Sequence, residues 1–266
     1  MTDAWLTESP FLRDLGLEAR DGDIVLTVTE PHTPHGALHG GATAALALTS
    51  AEATMRAGDP GVEPSATSIH VTYARAGRGT TFTAASTTVR RTRELGFYQT
   101  ELRDSAGELI AGASSTLSTN RNGSGEMTQP RPLSGDPARF AAAMAPMAYL
   151  GRRDIRPEGF EPGEVEFTMG LAERNLDAKG RLHAGAVITL IDLAGASAPW
   201  TYLPSATTGV TVALHVQLFG ELPREPVVAR ATVRARDDRM TWSDVTVWRR
   251  DDLRVCGLGH VAFRFD

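Results

Sequence analysis

The sequence predicts an α+β chain in which one unit is used twice. Two turns of the same kind, Leu38-His39-Gly40-Gly41 and Leu182-His183-Ala184-Gly185, each open a long apolar segment of helical character. Similar strand-like stretches follow each helix in the same order. The spacing between the copies is steady, 144 residues from His39 to His183 and 145 from Ala66 to Thr211. So constant an offset across a helix and the strands after it marks a repeat.

The elements follow in chain order. Phe11, Leu12, Leu15 and Leu17 make an apolar start, and Ile24, Leu26 and Val28 share one face of a strand over 23–29. A turn-rich segment, Glu30 to Gly36, leads into a helix at about 41–57. It is apolar all round, so it belongs inside other structure rather than on a surface. After Gly58-Asp59-Pro60-Gly61, strands are predicted over Ser68–Tyr73, Thr80–Val89, Gly96–Leu102 and Leu109–Leu117, with a hairpin turn at Arg103 to Gly107. The polar stretch 119–139 reads as a linker between units at 1–118 and 140–266. The second copy then runs through Met147–Gly151, a strand at Val165–Met169, a helix at about 184–200, and strands over Gly209–Phe219, Val227–Arg236, Thr241–Arg249 and Val255–Phe265. A mostly antiparallel sheet wrapping a helix suits each unit, and two such sheets can pair edge to edge.

Composition bounds the function. A net charge of −5 argues against a general nucleic-acid binder. The single cysteine, Cys256, excludes an intramolecular disulfide and fits a reducing compartment. No basic-then-apolar leader follows Met1, and no apolar run reaches the roughly 20 residues of a membrane helix. The expectation is a cytoplasmic protein without a membrane partner.

The repeat is asymmetric where chemistry is concerned. Nine residues after His183 stands Asp192, and nine after His39 stands Leu48. A carboxylate in so apolar a helix is costly to bury unless it is hydrogen-bonded or functional. N–H groups at a helix start suit a developing oxyanion, and Gly40-Gly41 leaves room for close approach. His32, His35 and His39 fit no zinc spacing, so neither metal nor cofactor is expected. His70 and His215 are expected near the junction of the units, and Cys256 inside a strand.

Gly36-x-x-His39-Gly40-Gly41, Gly180-x-x-His183-Ala184-Gly185, Asp192 and the Gly209-Val210-Thr211-Val212 strand together resemble the hotdog-fold thioesterase superfamily. The resemblance covers 9–118 and 140–266, a double hotdog similar to the phenylacetate-pathway and tandem type II acyl-CoA thioesterases. It implies an active site between the units, with Asp192 as base or nucleophile, Thr211 orienting water, the Gly40 and Gly41 amides on the thioester carbonyl, and His39 shaping the turn. The mirror combination of His183-Ala184-Gly185 with Leu48 and Ala66 is then degenerate. Where the family often carries Asn six residues before the His, this chain has Thr33 and Asp177. His260 stands in for a late-strand Gln, and Arg91, in the cluster Arg90 to Arg93, is a candidate for coenzyme A phosphate. The implied activity is hydrolysis of an acyl-CoA or other acyl thioester to acid and thiol, and a homo-oligomer of double units is compatible with it. The rival is an acyl-CoA-binding hotdog without catalysis; a hydratase ranks last, because no Asp-x4-His pattern is present.

Overall fold

Asp21-Gly22 is a tight hairpin turn, with both residues at positive φ (54° and 94°), the backbone that joins two strands with the right twist. It makes the start of the chain a strand pair where the sequence suggested one strand. The computed structural model describes residues 4–30, 32–33, 35–119, 123, 125–202 and 208–265. In its first half, short helices α1 (Ala4–Glu8) and α2 (Pro10–Leu15) precede β1 (Leu17–Arg20), β2 (Asp23–Thr27), the long helix α3 (Gly40–Gly58), β3 (Ser65–Tyr73), β4 (Thr81–Arg91), β5 (Leu95–Asp104) and β6 (Leu109–Ser118). Within the expected linker, β7 (Gly125–Glu126) pairs with the last strand; residues 120–122 and 124 of that stretch lie outside the described residues.

The second half repeats the order: α4 (Ala138–Met144), α5 (Ala148–Gly151), β8 (Ile155–Glu161), β9 (Glu164–Met169), α6 (Ala184–Ser197), β10 (Gly209–Leu218), β11 (Val227–Arg236), β12 (Met240–Arg249) and β13 (Arg254–Phe265). Strand β8 escaped the sequence pattern because it contains Pro157 and Gly159, between which its register shifts. Such a strand is tolerated at a sheet edge, and β8 is the last strand of the sheet. Helix α6 ends at Ser197, and a 3₁₀ turn over Ala198–Thr201 continues it. Pro199 lacks the N–H that another α-helical turn requires.

The strands form one sheet in the order β1-β2-β4-β5-β6-β3-β10-β13-β12-β11-β9-β8. Its halves meet at β3 and β10, which pair antiparallel from Ala213↔Thr72 to Gln217↔Ser68. His70 and His215 face each other across this seam, ring centroids 5.9 Å apart. The sheet curls around α3 and α6, whose Ala42, Ala44, Leu46, Leu48, Val187, Ile188, Leu190 and Ile191 are all fully buried. The helices cross closely. A Cβ on Gly41 would lie 2.5 Å from Thr189 Cα, and one on Gly185 would lie 2.9 Å from the Ala45 methyl. The two contacts exchange places under the repeat, so α3 and α6 are related by a pseudo-twofold axis.

A bulge follows the same symmetry. Register shifts fall between Ala66 and Ser68 in β3 and between Thr211 and Ala213 in β10. In β10, Leu214, Val216 and Leu218 are buried toward the helices. By strict alternation Thr211 would share the outer face with His215 and Gln217. The extra residue reverses that parity and turns Thr211 inward.

Candidate active site

The centre forms where the start of α3 meets the middle of α6. His39 is the N-cap of α3 in extended conformation, and its Nδ1 accepts the Gly41 N–H at 3.0 Å. The same N–H donates to Asp192 Oδ2 at 2.8 Å, which brings Nδ1 and Oδ2 within 3.4 Å of each other. Thr211 donates its hydroxyl to the other oxygen, Asp192 Oδ1, at 3.0 Å. Tyr73 donates to the Gly40 carbonyl at 2.9 Å. Asp192 is 3% exposed and His39 8%. As the first residue of α3, Gly40 has an N–H without a partner in the helix, and among the described residues it meets no other acceptor.

Burial pushes the Asp192 carboxyl above its ordinary range, while nearby His39 and the hydrogen bonds from Thr211 and Gly41 pull the other way. Burial holds the His39 imidazole down; Asp192 opposes this and Arg153 reinforces it. A neutral ring accepting at Nδ1 carries its proton on Nε2.

Behind the centre lies an aromatic layer contributed crosswise. Tyr149, from the second half, tilts against His39 at 5.4 Å and stacks on His32 at 4.5 Å, and its hydroxyl bonds Thr189 Oγ1 at 2.9 Å. Phe11, from the first half, stacks on His183 at 4.6 Å. The buried guanidinium of Arg153 sits between Phe11 and Tyr149, at 4.6 and 4.7 Å, and pairs with Asp14 at 2.9 Å.

Family models match both halves of the chain. One described as acyl-CoA thioesterase N-terminal domain matches residues 28–118, and one described as thioesterase superfamily matches 179–256. Together they cover more than half of the sequence. The chain belongs to the thioesterase superfamily, as two domains in tandem. Among solved structures, a hot dog fold protein of unknown function from Alicyclobacillus acidocaldarius matches with a TM-score of 0.73 at 16% identity, covering 100% of this chain and 99% of that one. A tesB protein of Mycobacterium avium subs paratuberculosis gives 0.72 at 17% identity, covering 96% and 98%. An acyl-CoA thioesterase II, TesB2, of Mycobacterium marinum gives 0.70 at 13%, covering 98% and 97%. These likenesses establish the double hotdog fold. No protein of curated function matches the sequence.

In this thioesterase-superfamily chain the structure brings His39, Gly40, Gly41, Asp192 and Thr211 together and leaves three expected residues apart. Thr33 is occupied in its own loop, where its hydroxyl accepts the Ala37 N–H and donates to the Ala37 carbonyl, both at 3.0 Å. His260 faces the outer side of the sheet and bonds Asp244 at 2.7 Å, whereas its neighbours Gly259 and Val261 face α6. Arg91 pairs with Asp59 at 3.8 Å, beyond the C-terminus of α3. That is the far end from His39, roughly 28 Å away for a helix of this length. The glycines also differ from expectation. Their missing side chains admit protein, because a Cβ on Gly40 would lie 2.7 Å from Asp192 Oδ2 and one on Gly41 would strike Thr189. The Gly41 amide is spent on Asp192 and His39, and the Gly40 amide has no acceptor among the described residues.

Sequence reasoning missed Tyr73, Tyr149 and Arg153. Only Tyr73 had a signal, since at the offset of 145 its counterpart is Leu218. In the mirror position, His183 Nδ1 accepts the Gly185 N–H at 3.0 Å as His39 does for Gly41. The residues at the places of Asp192, Thr211 and Tyr73 are Leu48, Ala66 and Leu218, all without a hydrogen-bonding side chain.

Proposed function

We propose that the protein hydrolyses an acyl thioester, acyl-CoA above all, at one site per chain made by both units. The observation that carries this reading is the Asp192 carboxylate, buried in an apolar helix yet held on both oxygens, by Thr211 and by Gly41 at the start of the opposite helix. Two fixed hydrogen bonds orient the carboxylate, and burial raises its proton affinity toward that of an effective general base. Asp192 takes a proton from water as the water oxygen bonds to the thioester carbon. The carbonyl oxygen, as it becomes an oxyanion, takes the Gly40 N–H at the positive end of α3. The C–S bond then breaks, and the thiolate recovers the proton to leave as free thiol beside the carboxylic acid. His39 and Tyr73 keep the turn in shape through the Gly41 amide and the Gly40 carbonyl.

The test is thiol release from a panel of acyl-CoAs. Asp192→Asn is expected to lower turnover at least 10²-fold with its unfolding transition near that of the wild type. Thr211→Val is expected to lose less, about 10-fold, because Asp192 keeps its bond to Gly41. An Asp192→Asn protein that turns over at wild-type rate rules out this mechanism. The rival role, binding without hydrolysis, draws support from Thr33 and His260, neither of which offers a second donor to a carbonyl. Saturable binding with no thiol release from any acyl-CoA would establish it.

A further inference from the structure

The pseudo-twofold axis that produces the Asp192 centre also produces a second place of the same construction. A cleft of about 390 Å³ opens there, walled by His183 and Ala184 at the start of α6 and by Ala66 and Leu218 of β3 and β10. Ala66 and Leu218 are the counterparts of Thr211 and Tyr73. The volume lies in the range of small-molecule sites. Leu12, Leu182 and Leu222 add apolar wall, and Arg56 lines the cleft as well. The Arg56 guanidinium lies over the Trp5 ring at 4.9 Å, and its Nε is buried without a hydrogen-bond acceptor among the described residues. The counterparts of Asp192, Thr211 and Tyr73 are the hydrocarbon side chains Leu48, Ala66 and Leu218, and the space beside the last two has not been filled.

We infer that this cleft is a second, non-hydrolytic site for an acyl thioester. The inference rests on reading the Asp192 centre as a thioester site, because the axis relates the two. The acyl chain lies along the leucines, the carbonyl faces the start of α6, and a polar oxygen of the thioester's carrier meets the Arg56 guanidinium. Leu48 and Ala66 occupy the positions that activate and aim water in the Asp192 centre. The carboxylates and hydroxyls of the cleft, Glu8, Glu52, Glu63, Asp177, Ser9 and Ser65, stand at other positions, so the bound thioester persists.

Two measurements on the full chain separate this inference from the catalytic reading. Equilibrium binding of S-hexyl-CoA and S-dodecyl-CoA, non-hydrolysable thioethers, gives the number of sites, and thiol release from hexanoyl- and dodecanoyl-CoA gives turnover. Two equivalents are expected on the wild-type chain with at least one of the thioethers. Ala66→Phe, which fills the cleft, is expected to remove one equivalent while thiol release continues. Arg56→Ala, in case the bulkier change unfolds the chain, is expected to weaken that equivalent about tenfold and spare turnover. One equivalent or none on the wild type overturns the inference, as do two equivalents that both survive Ala66→Phe or Arg56→Ala. Absence of thiol release alongside two equivalents, one sensitive to these changes, would overturn the catalytic reading and leave the cleft standing.

Discussion

Gly40 and Gly41 are adjacent and both lack a side chain, yet they serve different neighbours. A methyl on Gly41 would meet the Thr189 backbone at 2.5 Å, which cannot yield without separating two buried helices. Gly41→Ala is therefore expected to cost about 1–3 kcal/mol in urea unfolding, the range for forcing a methyl into a packed core. A methyl on Gly40 would meet Asp192 Oδ2 at 2.7 Å, the end of a side chain. Gly40→Ala is expected to cost less than Gly41→Ala, since the neighbour that must move is a side-chain end rather than backbone, while displacing the carboxylate and lowering thiol release. Equal losses of stability in the two variants would count against this division. A sequence shows only two glycines in a row. Their partners are set by how closely the helices cross, which no local pattern records.

At the scale of the element, α3 and α6 show why the duplicated site cannot simply be restored. At position 48 the chain has a fully buried leucine. Across from it, Ala184 carries the Cβ that Gly40 omits, and Ala66 lacks the hydroxyl that Thr211 supplies. Leu48→Asp is expected to destabilise the chain by about 3 kcal/mol or more, the scale of a buried carboxylate without partners. Adding Ala184→Gly and Ala66→Thr supplies space and a donor, so the triple variant should recover part of that loss in the same urea titration. The fold itself was legible at this scale. Each apolar helix behind a His-led turn, the strands after it and the edge pairing of the units are periodicity and repetition, and those are properties of sequence. Two edge elements were not legible, β1 for its four residues and β8 for its proline. The inward aim of Thr211 was readable only through its alignment with the family, because the bulge that reverses its parity leaves no mark on composition. His260 was misplaced for a related reason: alignment located it on the right strand, and alternation along β13 sends it to the outer face.

Across the whole molecule, burial of one imidazole ties stability to pH on the acid side. His32 is 4% exposed, stacked on Tyr149, and its Nδ1 has no hydrogen-bond partner among the described residues. Burial first, then His39, Arg152 and Arg153, lower its pKa from 6.5 to about 3. Between those values the unfolded chain binds a proton that the folded chain does not. The contribution of His32 to stability is therefore full above pH 6.5 and is lost as the pH falls toward 3, at a slope of about 1.4 kcal/mol per unit. His32→Phe keeps a ring against Tyr149 and removes the titration, so its stability between pH 6 and 4 should fall less steeply than that of the wild type. Parallel curves for the two proteins would assign the acid sensitivity elsewhere. Cys256, pushed up to about 12 by its burial in β13, should stay unreactive to thiol reagents at pH 8 until the chain unfolds.

The two halves of the Asp192 centre come from different units of one polypeptide, and this has a consequence for heredity. Were the units separate copies of a single gene product, every substitution would enter both symmetric sites at once, and a leucine in place of the aspartate would strip the carboxylate from both. Joined in tandem, each codon is written into one site only. The chain can keep the Asp192 centre under selection while its twin drifts, or is shaped toward another use.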